Sequence, residues 1–390
     1  MATIAFFYEA LTLLVVGLLF VSFVRSVQGV PVPSAARRKH SSPLTGISVV
    51  LLIEPNVDPE HAVASLQAQK YPKLDLVIVL SDGAGLEERT RSRLEADARV
   101  RLIETRSLTV GWTRQNEGYA AGFRAARHDY VLFMDANVML RAEGVERALG
   151  LAKRRGTDLL TIFPAFTAIS RSERLMIPFF LQLTLAGVSL RKINDANSDA
   201  AGGFAPFFLF RRAAYEALGG HAAVRADRFS DSTLAQTIKD RGYRLLVANG
   251  TDLAVLQGQA RFRDIWTSWS ESFNEAIDNN AKHAALLAAL VLALFAVPWL
   301  LVAAAVLRLA TSPEPVAMSP WLGVVIIGIP NIMLAMLHRR ALRNLLDIDD
   351  SLAWLQPLAA IITAVMIVTS SLRLEESWLG RLADKALAGR

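Results

Sequence analysis

The chemistry available to this sequence falls to its oxygen side chains. None of the 390 residues is Cys. That excludes disulfides, thiolate nucleophiles and Cys-ligated zinc, and leaves oxygen or His as the ligands of any metal. Two places set acidic or amide side chains directly after a strand-like apolar run. Residues 74–80 lead into Ser81-Asp82-Gly83, where a carboxylate beside a tight turn could hydrogen-bond a base or a ribose, although Asp-Gly is also simply a good turn. Residues 130–134 lead into Asp135-Ala136-Asn137, two oxygen-bearing side chains one residue apart. Hard divalent cations that bridge phosphates are held by such ligands and neutralise a departing diphosphate; the same trio could equally be a turn or a helix cap. His221, in Gly219-Gly220-His221, has no second His at ligand spacing, so it reads as structural or as a supporting partner of a site residue.

The elements around these residues decide whether they can meet. Residues 47–53 and 74–80 are short Val/Ile/Leu runs bounded by turn or helix signals, as buried parallel strands are. Residues 61–69 have helical spacing, 100–103 are strand-like, 114–127 helix-like and 130–134 strand-like again. This alternation predicts an α/β fold with a doubly wound, mostly parallel sheet. Ligands of open parallel sheets bind beyond the carboxyl ends of the strands, where Asp82 and Asp135 stand.

Hydrophobic residues make up 53% of the chain, too many for an ordinary soluble enzyme, and the excess is concentrated in segments. Residues 5–24 are long enough to span a bilayer and are followed by Arg25, Arg37, Arg38 and Lys39. Positive charge after the apolar stretch, with no cleavage pattern, predicts an uncleaved anchor rather than a signal peptide. Residues 30–43 read as a linker. Three further stretches, 284–306, 321–337 and 354–369, fit membrane spans. His338, Arg339, Arg340 and Arg343 place the loop between the last two in the cytoplasm, together with Arg37 to Lys39 and the central domain. The basic tail, with Arg373, Arg381, Lys385 and Arg390, then falls outside against its preference, so one stretch could be re-entrant or interfacial. The net charge of +6 has no accompanying basic and aromatic strip, and no nucleic-acid partner is expected. The domain plan is an anchor at 1–26, a linker at 27–46, the α/β domain at 47–282, about three membrane helices at 283–373 and a tail at 374–390.

Several short motifs occur in one order: the strand at 47–53, QKYP at 69–72, Asp82-Gly83, Gly111-Trp112, Asn116 and Asp135-Ala136-Asn137, then ERLMIP at 173–178, Asn194-Asp195, Ala201-Gly202-Gly203, RRAAYEALGGH at 211–221, DSTLA at 231–235 and KDRGY at 239–243. This order resembles family-2 glycosyltransferases of the GT-A fold, in the membrane-bound, lipid-modifying branch of the hopene-associated and carotenoid-acid enzymes. The resemblance implies a nucleotide-sugar donor, most often UDP-linked, a membrane lipid acceptor and Mg²⁺ or Mn²⁺. It casts Asp82, Asn116, Asp135 and Arg261 as donor-binding residues, Asp135 and Asn137 as the metal site and Asp231 as the catalytic base. A carboxylate there could take the acceptor's proton during an in-line attack. Without the resemblance, Asp231 could be an N-cap of the helix running through Lys239.

Departures accompany the likeness. Ser81-Asp82 stands for an acidic pair, Asn137 for a second Asp and Ser230 for a Glu, while Glu54-Pro55-Asn56-Val57-Asp58 replaces the usual loop after the first strand. Asn still coordinates through its carbonyl oxygen but contributes no charge. The expected function is inverting sugar transfer to an isoprenoid-type lipid such as a hopanoid or carotenoid acid, at the cytoplasmic face of the inner (plasma) membrane. The alternative is a degenerate, non-catalytic membrane scaffold. Residues 175–190 are either an interfacial helix guiding a lipid or a buried core helix.

Overall fold

The computed structural model describes residues 1–33, 44–55, 57–105, 107–203, 206–258, 261–277, 280–311 and 319–371. Arg37 to Lys39 and the basic residues from Arg373 onward, on which part of the topology expectation rests, lie outside the described residues. The chain divides into two units. Residues 25–167 and 189–257 form one; residues 1–24, 168–188 and 258–390 form the other.

In chain order the elements are α1 (Ala2–Val27), β1 (Ile47–Ile53), α2 (Glu60–Gln67), β2 (Leu74–Leu80), α3 (Glu88–Glu95), β3 (Val100–Glu104), α4 (Arg114–Ala125), β4 (Tyr130–Asp135) and β5 (Val138–Leu140). There follow α5 (Gly144–Arg155), β6 (Leu159–Phe163), β7 (Ala165–Thr167), α6 (Arg171–Gly187), α7 (Leu190–Asn194), β8 (Phe207–Arg211), α8 (Arg212–Leu218), α9 (Gly220–Ala223) and α10 (Ser230–Asp240). The last are β9 (Leu245–Asn249), β10 (Ala254–Gln257), α11 (Phe262–Ala276), α12 (Ala281–Phe295), α13 (Val297–Thr311), α14 (Trp321–Leu346) and α15 (Gln356–Ser371).

The first unit is the expected α/β layer structure. Every residue of β1 and β2 is buried, because helices cover both faces of a parallel sheet and leave no side of these strands for polar groups. The seven-stranded sheet has the order β3-β2-β1-β4-β8-β6-β9. Neighbours pair in parallel except β8, which runs against β4 and β6. Successive strands step outward from β1 to β3, and the chain then returns to lay β4 on the other side of β1, so the strand order reverses between β1 and β4. A crevice opens at the carboxyl ends of such a pair. A second sheet, β5-β10-β7, starts three residues past the end of β4.

Helix α4 lies unusually close to β1. A Cβ on Gly118 would sit 2.4 Å from the Leu52 side chain, and one on Gly122 would sit 2.2 Å from the Val50 side chain, so a larger residue requires these side chains or the helix to shift. Thr113 caps the helix, its hydroxyl accepting from the Asn116 N–H at 3.2 Å.

The second unit is helical. Helices α1 and α14, and residues 353–371 comprising a 3₁₀ turn and α15, are each long and apolar enough to cross a membrane. The expected span at 284–306 is not one straight helix: α12 and α13 meet at Ala296 with a bend of 40°. Pro298 is the reason. It has no N–H to continue the α12 ladder, and its ring clashes with the carbonyl four residues back, so the chain restarts with Pro in a first turn, where it is tolerated. Helix α6 is the buried alternative rather than an interfacial helix. Its Phe179 packs on Phe295 and its Phe180 on Trp269, with ring centroids 5.3 and 4.3 Å apart, and its Leu175, Met176 and Leu185 are buried. A Ser170/Glu173 capping box starts it.

Candidate active site

The site of the α/β unit is built on the ends of β1 and β4. Asp135 is the last residue of β4, in register with Leu52 of β1, two positions before Glu54. Removal from water pushes its carboxyl up to about 7, and the charges of Glu54 and Asp231 push the same way. Tyr119 works against them by donating its hydroxyl proton to Asp135 Oδ1. The glycines that bring α4 onto β1 thus bring this hydroxyl to the end of β4. Burial, and then the neighbouring Asp135 charge, raise the Tyr119 phenol well above its ordinary range, so it stays a donor. The ring is held in turn by Phe133 and His221, with centroids 5.3 and 5.0 Å away.

His221 is buried and bonded within its own segment. The Tyr215 hydroxyl accepts the His221 backbone N–H at 2.9 Å and lies 2.6 Å from Nδ1. The hydroxyl is thus shared between the backbone and the ring of His221. Burial among these aromatic rings pushes His221 down to about 3.

Asp231 lies in the first turn of α10 but is not its N-cap, which is Phe229. Asp227 does the local anchoring instead, accepting from the Phe229 N–H at 2.8 Å and from the Thr233 hydroxyl. Burial raises the Asp231 carboxyl, and its contacts with the N–H groups of Ser232 and of its own backbone oppose that rise. Asn116 is fully buried and donates its side-chain amide to the carbonyls of Val224 (2.7 Å), Arg225 (3.3 Å) and Asp227 (2.8 Å). It therefore ties the start of α4 to the loop that leads into Asp231. Asp82 is half-buried in a turn closed by the Ala84 N–H on the Ser81 carbonyl at 2.8 Å. Gly83 takes the left-handed φ of +80° that a type II turn requires at this position. The Ser81 hydroxyl donates to the Ile53 carbonyl at 3.1 Å, which joins this turn to the end of β1.

Glu54 was not among the residues expected to act. Its carboxyl is raised by burial, with the Arg114 cation at the start of α4 opposing. It follows β1 directly, so the strand-end rule that selected Asp82 and Asp135 also selects it. Arg261 belongs to the helical unit, exposed, its carbonyl accepting the Ile265 N–H at the start of α11.

The donor set suits a shared metal and not an enclosed one. Among the described residues no three His, Asp or Glu side chains gather at ligand distance. Asp135 offers a carboxylate with one oxygen free of Tyr119, and Asn137 offers a buried Oδ1 with no hydrogen-bond partner among the described residues. One or two protein oxygens completed by substrate phosphates is how Mg²⁺ is commonly held.

The chain matches the family model of glycosyl transferase family 21 over residues 10–382 and belongs to that family. It is by family a glycosyltransferase, assigned to family 21 where the motif order resembled family 2. No curated protein matches the sequence. Among solved structures it is similar to the mannosyltransferase PcManGT from Pyrobaculum calidifontis in complex with GDP-Man and Mn²⁺, at 16% identity and a TM-score of 0.49, covering 95% of this chain and 98% of that one. S. aureus TarS 1-349 is similar at 14% identity and a TM-score of 0.38, covering 85% of this chain and 93% of that one.

Proposed function

We propose that this glycosyltransferase moves a sugar from a nucleotide diphosphate sugar, UDP-linked as first choice, to an oxygen of a membrane lipid, with inversion at the anomeric carbon. The observation that supports the reading is that Asp135 ends β4 and Glu54 directly follows β1, on adjacent strands at the point where the strand order reverses. Asp231 accepts the acceptor's proton as that oxygen bonds to the anomeric carbon. The bond from this carbon to the diphosphate breaks, and the diphosphate leaves with the electron pair. A carboxyl raised by burial is a better base near neutrality than an ordinary Asp. Mg²⁺ or Mn²⁺ on Asp135 and Asn137, when bound, neutralises charge on the leaving diphosphate. Asp82 contacts the base or ribose, and Asn116 acts through the 224–227 loop.

A membrane lipid is the acceptor this reading favours, supported by the three or four helices among the described residues that are apolar enough to cross a membrane. Hopanoids and carotenoid acids are the first to try, with the α/β unit at the cytoplasmic face of the plasma membrane. The test uses the full chain in nanodiscs containing these lipids, a panel of nucleotide sugars, and Mg²⁺ or Mn²⁺. Nucleoside diphosphate release coupled to a glycolipid of inverted anomeric configuration is expected. Folded protein that releases none with any pair sinks the catalytic reading and leaves the scaffold.

A further inference from the structure

Near the end of α14 the apolar run gives way to His338-Arg339-Arg340-Ala341-Leu342-Arg343. Arg340 and Arg343 are exposed, as basic residues at a membrane boundary ordinarily are, and Arg343 donates to Asp350 at 3.2 Å. Arg339 is different. It is 1% exposed, and Nε, Nη1 and Nη2 all lack a hydrogen-bond partner among the described residues. The carboxylate charge that reaches it is that of Asp350, whose Oδ1 is engaged by Arg343. Next to it in sequence, His338 is also buried, its ring against Phe20 and Phe23 of α1 and its Nε2 unpartnered.

An Arg cannot discharge itself by losing its proton, and a buried charge without a partner is among the least favourable arrangements a fold can hold. Five N–H donors in a planar fork match the paired oxygens of a phosphate or carboxylate. At the boundary of an apolar span, the anions at hand are lipid headgroups. We propose that Arg339 anchors a binding site, within the helical unit, for the phosphate or carboxylate of an anionic membrane lipid. The site uses no residue of the carboxylate cluster, so it stands or falls independently of sugar transfer.

The experiment compares thermal unfolding of the full chain in phosphatidylcholine nanodiscs, in nanodiscs with added phosphatidylglycerol, and in phosphatidylcholine nanodiscs with inorganic phosphate. Phosphatidylglycerol should raise the midpoint of the wild-type protein and be retained on it in native mass spectrometry. Arg339→Met should unfold at a higher temperature than wild type in phosphatidylcholine, because an unpaired charge is gone. It should also lose the phosphatidylglycerol increment, with retention reduced about tenfold or more. Arg339→Lys, which keeps the charge without the fork, should hold the lipid more weakly than wild type, and it carries the test if the Met variant does not fold. Arg340→Met should keep the increment. An increment reproduced by inorganic phosphate, with nothing added by phosphatidylglycerol, overturns the lipid as the source. Equal shifts in wild type and Arg339→Met, or none in either, overturn the site itself.

Discussion

Three side chains near the end of β4 do different work, and substitution separates them. Asp231→Asn keeps the size of the residue but cannot take a proton, so turnover should fall roughly 10²- to 10⁴-fold while donor binding and folding persist. Because Phe229 is the N-cap and Asp227 anchors the turn, a purely local helix role would leave the rate nearly unchanged. Tyr119→Phe removes the hydrogen bond that favours the charged form of Asp135, and divalent-ion affinity measured by calorimetry with the nucleotide present should drop about tenfold. Unaltered affinity would remove Tyr119 from the support of the site. His221 predicts a pH effect. Its folded pKa of about 3 lies below the unfolded value near 6.5, so the unfolded chain binds a proton that the fold excludes. Stability should decline as pH falls below about 6.5 and keep declining toward 3, and His221→Gln should reduce that slope by about one proton. Equal slopes in detergent melts would refute the assignment.

The glycine contacts of α4 are the element-scale counterpart of the Tyr119 bond. Gly122→Ala puts a methyl 2.2 Å from Val50, and overpacking of this kind costs about 1–3 kcal/mol. Relief of that strain moves α4 off β1, so the Gly122→Ala enzyme should lose both midpoint temperature and metal affinity; loss of stability alone would show that Tyr119 keeps its place. At this scale β1 and β2 were legible residue for residue, because strands buried on both faces are unbroken apolar runs. The far half of the sheet was not. Strand β8 pairs with Tyr130–Met134 and Leu159–Thr161 from more than 45 residues away and runs antiparallel, a matter of long-range pairing that no local pattern encodes. The break at Ala296 was missed because hydropathy counts side chains, whereas Pro298 acts through a missing backbone N–H. Asp82 and Asp135 were singled out as candidates by the strand-end rule, and Glu54 was not, because its loop was compared with a family pattern instead of being read by position. Asn116 shows the opposite limit: the same amide can hold a ligand or a loop, and only the three carbonyls around it tell which bonds it makes.

For the whole molecule the orientation in the bilayer is the open expectation, and the absence of Cys makes it simple to test. Asn344 is exposed near the end of α14, so Asn344→Cys gives the chain a single thiol. A membrane-impermeant maleimide should label it in inside-out vesicles and not in intact cells; the reverse result would put this end of α14 on the other face. One contact in the helical unit also has a meaning in time. Asn331 of α14 donates to Glu9 of α1 at 3.0 Å and to Thr12 at 2.8 Å, and 322 residues separate Asn331 from Glu9. At about 5–20 residues per second a ribosome needs roughly 15–60 s to cross that interval. Throughout it α1 carries a carboxylate in an apolar segment with its amide partner not yet synthesised, so this contact of the helical unit is gated by translation of α14.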